Sequence, residues 1–238
     1  MKYVERYVDC YGGSRNSCNG SFYGNAGIYA NFDDKGDARI MDIWFTSDLH
    51  LNHNKSFLYE PRGFTNVKDM NETIVENWNS VVKPGDIVYN LGDSLMGDQM
   101  EAIEYYKKLN GTSFMIWGNH CTDNKKNLLA EHCHIVGGWY AWLIKYGKLS
   151  IYMSHYPTLT ANYDEKHFSQ HVLSLHGHTH QQTNFLQIDN PFLYHVGMDS
   201  HNCTPVHIDE VLADIRNRWN ELGQNTGLPS SYDIPQEK

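Results

Sequence analysis

Five times between residues 41 and 180, a short apolar run stops at a carboxylate, an amide or an imidazole. Met41 to Ser47 gives way to Asp48-Leu49-His50, and Ile87 to Leu91 gives way to Gly92-Asp93. Ser113 to Trp117 leads into Gly118-Asn119-His120, and Lys148 to Ser154 leads into His155. Val172 to Leu175 leads into His176-Gly177-His178-Thr179-His180. Short runs rich in branched and aromatic side chains, bounded by glycine and polar residues, read as strands. In α/β sheets, ligand sites gather at the carboxyl ends of strands. Strands that share core sheets would therefore carry these five loops to one place. The glycines before Asp93, Asn119 and His178 are expected to let the chain turn sharply there.

The segments between the runs fit the same plan. Lys68 to Val82 is an amphipathic helix, with Met70, Ile74, Trp78 and Val81 on one face. Asp98, with Glu101 three residues on, reads as a capping box, and Asn110-Gly111 as the stop of the helix it opens. A further helix is expected over Asn124 to Glu131. The order β-α-β-α-β predicts a layered α/β domain. Further on, Trp139 to Lys145 and Lys148 to Ser154 read as strands around Tyr146-Gly147. Phe185 to Ile188 and Phe192 to Gly197 are further strand candidates, and Ile208 to Leu222 is a closing helix. Residues 1–40 are expected to be an N-terminal extension, either loosely attached or a flap beside the site. Within it, Phe22 to Phe32 is a candidate hairpin around Gly24-Asn25. The domain proper is expected over residues 41–222, with a polar tail over 223–238.

Composition narrows the chemistry. An apolar share of 40% excludes a disordered chain. No apolar run is long enough to span a bilayer and no secretory leader is visible, so a cytoplasmic protein is expected. Five scattered cysteines fit a reducing compartment. A net charge of -9 argues against long nucleic acid as partner. The 14 histidines nearly equal the 19 Lys and Arg, and all lie between His50 and His207. At strand ends, Asp48, Asp93 and Asn119 supply oxygen, and His50, His155, His178 and His180 supply imidazole. This mixed set without thiolate suits Mn, Fe, Zn or Ni. It exceeds one tetrahedral site and matches two ions sharing a carboxylate, the arrangement that holds both oxygens of a phosphoryl transfer.

Taken together, Asp48-x-His50, Gly92-Asp93, Gly118-Asn119-His120, His155 and Gly177-His178-Thr179-His180, in that order, resemble the calcineurin-like metallophosphoesterase superfamily. The resemblance covers residues 41–210. Asp48-Leu49-His50-Leu51-Asn52-His53, Pro61-Arg62-Gly63-Phe64 and Ser154-His155-Tyr156-Pro157 are similar to its small bacterial and phage-type branch. The resemblance implies a four-layer α/β/β/α sandwich of two mixed sheets flanked by helices. It implies a dinuclear-metal hydrolase of a phosphodiester or phosphomonoester, with manganese as the first choice of ion and a metal-bridging hydroxide as nucleophile. Asp48, His50 and His180 would hold one ion, Asn119, His155 and His178 the other, and Asp93 would bridge. His120 would stand over the phosphate, stabilising charge or protonating the leaving oxygen. The host would be a bacterial cell, or an infected one. Where the family carries an acid after Gly-Asn-His, this chain has Cys121. That acid orients the neighbouring histidine, a task Asp123 is expected to take over.

Other residues admit two uses each. His53 is a phosphate contact or a loop histidine. Arg62 grips phosphate or braces its loop. Tyr156 and Tyr163 stack on a base or pack locally. Asp199, His176 and His201 back the metal ligands or lie outside the site. His167 and His171, at helical spacing, are expected to be solvated. The expected substrate is a small phosphorylated compound, nucleotide-like, with cyclic and signalling nucleotides among the candidates. The competing functions are a phosphoprotein phosphatase and a non-catalytic scaffold on the same fold.

Overall fold

A computed structural model describes residues 30–32, 38–160, 167–187 and 189–223, with side chains from residue 41 on. The candidate hairpin at 22–32 lies almost wholly outside them. Its last three residues, β1 (Ala30–Phe32), pair antiparallel with β2 (Ala38–Ile40). Tyr163 and the tail also lie outside the described residues.

The core holds two mixed sheets. The first contains β3 (Ile43–Thr46), β4 (Ile87–Asn90), β5 (Thr112–Ile116), β6 (Ile135–Trp139) and β11 (Val206–His207), in the order β11-β3-β4-β5-β6. Its strands are parallel except β11. The second contains β7 (Ala141–Tyr146), β8 (Leu149–Ser154), β9 (Val172–His176) and β10 (Leu193–His195), in the order β10-β9-β8-β7. Here β8, β9 and β10 run parallel and β7 antiparallel. The parallel core explains why β4 is buried on both faces and carries no alternation. Phe45, Tyr89 and Ile116 share a core with Ile151, Met153, Leu173 and Leu175 of the other sheet. The opposite face, with Val88 and Met115, packs against three helices.

Those helices are α2 (Val67–Val81), α3 (Gln99–Tyr106) and α4 (Asp123–His132); α1 (Ser56–Tyr59) is a single turn. Met70, Ile74 and Trp78 of α2 are fully buried, as their spacing predicts. Asp98 caps α3 by accepting from the Glu101 amide at 3.0 Å. The Glu101 carboxylate turns instead to Asn52 Nδ2, at 2.9 Å, which ties the cap to the Asp48 loop. The helix ends at Tyr106, short of the glycine stop. The closing helix α5 (Ile208–Glu221) buries Val211, Leu212, Ile215 and Trp219 in the core between the sheets.

Three local expectations need correcting. The strand expected at Phe185–Ile188 is reduced to one bridge between Phe185 and Tyr194. Strand β6 is additional, and its Gly137-Gly138 pair hides it from propensity. A Cβ at Gly138 would stand 2.1 Å from the Trp117 ring, so only glycine lets the strand pass there. His171 is 2% exposed and stacks on Phe192 at 3.8 Å, because it follows a short 3₁₀ turn rather than facing solvent from a helix.

Candidate metal centre

The carboxyl ends of β3, β4, β5, β8 and β9 do converge. The Asp48 loop runs beside the Asp93 loop, with Asp48 N–H on the Gly92 carbonyl and His50 N–H on the Asp93 carbonyl, both at 3.0 Å. His178 N–H donates to Asp48 Oδ2 at 2.8 Å, and Gly177 N–H to the His155 carbonyl at 3.0 Å. Backbone bonds thus tie the Asp48 loop to the Asp93 loop and the His155 loop to the His178 loop, and amide-to-carboxylate bonds from His178 to Asp48 and from His120 to Asp93 join the rest.

Strain concentrates here. Asp48, His50, Asp93, His178 and His180 all have left-handed φ, between +48° and +68°. Such a conformation costs a non-glycine residue about 1–3 kcal/mol and persists where the surroundings fix it. The glycines divide the work differently from expectation. Gly92 turns the chain, at φ +108°. Gly118 and Gly177 instead make room: a Cβ would stand 2.3 Å from Asp93 Oδ1 at the first and 2.3 Å from Asp48 Oδ2 at the second.

Two groups of donor atoms result, Asp48 with His50 and His180, and Asp48 with Asp93 and His155. In each, the donor atoms lie within 4.8 Å of one another. Asp48 is common to both, whereas the resemblance gives the bridge to Asp93. Asp48 Oδ1 is 3.6 Å from His50 Nε2 and 3.8 Å from His180 Nε2. Asp93 Oδ2 is 3.2 Å from His155 Nε2. Asn119 Oδ1 lies 2.9 Å from both His155 Nε2 and His178 Nδ1, which brings the remaining two candidates to the second group.

The buried atoms at this point test whether divalent metal fits. Asp48 Oδ1 and both ring nitrogens of His50 are buried and make no hydrogen bond. Buried polar atoms are otherwise almost always paired. His155 and His180 each commit Nδ1 elsewhere, to the Leu91 carbonyl at 2.8 Å and to Asp199 Oδ2 at 2.9 Å. Their Nε2 lone pairs are left facing the carboxylates, as ligating histidines are oriented. Burial pushes the Asp48 carboxyl up, but the facing imidazoles of His50, His155 and His180 outweigh it and hold it ionised. Burial pushes His50 and His178 down towards the neutral form that ligates metal. The residues fit divalent ions.

The neighbours sort plainly. The Arg62 side chain is 1% exposed, and its donors are taken: Asp199 on two nitrogens, the Asp48 carbonyl at 2.7 Å and the Leu49 carbonyl at 3.1 Å. It braces the site from behind, which corrects the phosphate-gripping use. Asp199, left open by sequence, joins Arg62 to His180. Its local pattern gives no signal, because its partners lie 137 and 19 residues away. Asp123 does not reach His120; its side chain is 94% exposed and pairs with Lys126 on α4. Cys121 does not reach His120 either. Its thiol donates to Asp93 Oδ1 at 3.6 Å and accepts from Gly118 N–H at 3.3 Å. His120 N–H also donates to Asp93 Oδ1, at 2.9 Å, and its exposed ring stands edge-on to His50 at 5.5 Å. His53 lies 5.4 Å from His50. Tyr156, half exposed, stands 4.8 Å from the His178 ring. His176 and His201 are turned to backbone carbonyls, of Gly177 at 2.8 Å and of His195 at 2.9 Å.

Two mixed sheets whose strand ends gather aspartates and histidines around such a centre define a phosphoesterase-type α/β domain. The sequence matches the family described as the calcineurin-like phosphoesterase superfamily domain over residues 41–197, and the chain belongs to that family. It is 39% identical over 95 residues to an uncharacterized protein of Methanocaldococcus jannaschii, a match covering 39% of this chain. The chain thus spans about half, 54%, of that archaeal relative. It is 27% identical over 201 residues to the gene 66 protein of Mycobacterium phage D29, covering 74% of this chain and 98% of that one. Phage relatives accord with the small bacterial and phage-type branch. A solved protein of unknown function from Aquifex aeolicus has the same fold, with TM-score 0.55 and 22% identity, covering 73% of this chain and 98% of that one. Among the described residues, no helix is long and apolar enough to cross a membrane.

Proposed function

We propose that this chain is a metal-dependent phosphoric ester hydrolase acting on a small nucleotide-like diester or monoester. The observation that carries the reading is the convergence of unpartnered, buried Asp48 Oδ1 and His50 Nε2 with His180, beside Asp93 and His155. Asp48, His50 and His180 would hold one divalent ion; Asn119, His155 and His178 would hold a second, with Asp93 and Asp48 between them. Manganese is the first choice. Bound divalent ions supply a nucleophile from water at neutral pH and neutralise charge on phosphoryl oxygens.

The chain's own groups do the rest. The backbone ties between loops hold the donor atoms in place before substrate arrives, so little reorganisation is needed. His120 has its backbone fixed on Asp93 and its ring at the surface of the site. It would hand a ring proton to the leaving oxygen, general-acid help worth about 10²–10⁴-fold. The Asn119 amide oxygen and the His155 Nε2 lone pair, both acceptors 2.9 Å apart, would face a common ion.

The test is hydrolysis of bis(4-nitrophenyl) phosphate with Mn, Ni or Zn, with metal content measured alongside. Activity that needs added metal, about two ions per chain, and loss of turnover in Asp93→Ala are expected. Unchanged turnover in that variant overturns the assignment. No turnover with fewer than two ions bound points to a scaffold.

A further inference from the structure

A cavity of about 440 Å³ opens beside the His50 side of the centre. Its lining brings His53, His120 and His180 together with the apolar side chains of Phe57, Leu58, Pro61 and Met96. Phe57 is the unusual member. It sits on the single turn α1, just after the Asp48 loop, and is 70% exposed, while Leu58 beside it is buried. Its ring meets His53 edge-on at 5.6 Å, so its position is set by a residue that itself packs on His50. An exposed aromatic side chain in a cavity lining that also holds Met96 suits a flat aromatic ligand. Gln182 lines the same cavity and carries an amide that both donates and accepts.

We infer that this cavity is a nucleobase subsite, in which Phe57 stacks on the base of the nucleotide ester whose phosphate lies at the metal centre. Gln182 then meets the base edge, and Met96 covers the ring from the far side. Phe57 acts on specificity: it selects base-bearing esters and takes no part in the chemistry. The inference rests on the phosphoesterase reading above, and the two can fail separately.

The experiment uses the full chain loaded with Mn. Two substrates are compared, the methyl ester of adenosine 5′-phosphate and its base-less counterpart, the methyl ester of ribose 5-phosphate. The readout is the ratio of their kcat/KM values, followed by phosphorus NMR. Stacking by one aromatic side chain predicts a preference for the base-bearing ester of about tenfold or more, carried by KM. Phe57→Ala should collapse that ratio about tenfold, and Phe57→Trp should keep it. An equal ratio in wild type and Phe57→Ala, or no preference in wild type, overturns the subsite. If neither ester is cleaved, the phosphoesterase reading stands or falls on bis(4-nitrophenyl) phosphate, independently of the subsite. Calorimetric titration with AMP then still reads the subsite: binding weakened about tenfold by Phe57→Ala supports it, and equal binding overturns it.

Discussion

The two halves of the candidate metal centre are held by different physics. The half around Asp48, His50 and His180 leans on a buried charged network. Arg62 forks onto Asp199, Asp199 accepts from His180 Nδ1–H, and Arg62 also gathers the carbonyls of Asp48 and Leu49. The half around Asp93, Asn119, His155 and His178 leans on neutral groups: the Leu91 carbonyl, the His120 amide and the Cys121 thiol. A buried charge network is costly to break from one side, since the remaining charge is left unpaired. Neutral hydrogen bonds are worth about 0.5–1.5 kcal/mol each. The first half should therefore be brittle and the second forgiving.

The largest expected effect separates the shared ligand from the outlying ones. Asp48 belongs to both donor groups, whereas His178 lies on the exposed side of one. Asp48→Ala should take metal content towards zero and hydrolysis to background. His178→Ala should keep one ion per chain. Metal analysis checks this, and equal losses in the two variants would break the comparison.

Next comes Arg62→Ala. Removing one partner of a buried pair costs about 3–5 kcal/mol, which urea denaturation should read directly. Arg62→Lys should recover only part, because an ammonium cannot make the fork. A third test acts on Asp199. Losing the carboxylate behind a ligating histidine costs about 10–100-fold in metal affinity. Asp199→Asn should show that loss for one of two ions, so a biphasic Mn titration is expected. A loss spread equally over both ions would mean that the halves are not held independently.

What the sequence made legible follows the same division. The candidate ligands stand at strand ends within motifs two to five residues long, so Asp48, His50, Asp93, Asn119, His155, His178 and His180 can be read locally, and the structure brings all seven together. The alternation of apolar runs and helical stretches likewise made the parallel sheet legible. The support could not be read that way. Arg62 and Asp199 are 137 residues apart, and their pairing depends on how the chain crosses from β10 in the second sheet to β11 at the first sheet's edge. Strand β6 escaped because Gly138 answers a steric demand from Trp117, a tertiary fact with no local signature. His171 looked solvated because a spacing of four residues mimics a helix that does not form there.

Burial also acts on the histidines behind the centre, and pH reads it. His195 is fully buried, and burial with His176 nearby pushes it down to about 3. Its folded pKa lies below its unfolded value of about 6.5, so the unfolded chain binds the extra proton. Stability from this residue is complete above about pH 6.5 and is lost as pH falls towards 3, with a slope up to about 1.4 kcal/mol per pH unit. His195→Gln should flatten the acid limb of the stability curve between those limits. An unchanged limb would place the titrating groups elsewhere.

The smallest effect is expected at Cys121, and it bears most directly on the comparison. Burial pushes the thiol up to about 11, so at neutral pH it is an uncharged S–H donor. It donates to Asp93 Oδ1 and takes the Gly118 amide in return. Cys121→Ser keeps a donor and an acceptor in nearly the same place, and should alter kcat by no more than about twofold. Cys121→Ala removes the donor to Asp93 and leaves the Gly118 N–H without its acceptor, a loss of about 1 kcal/mol. That loss should appear in stability and as a fall in kcat of less than about tenfold. If Cys121→Ala proves as damaging as Arg62→Ala, the thiol is holding Asp93 as tightly as the arginine fork holds Asp199. The second half would then be as brittle as the first, and the distinction between charged and neutral support would fall.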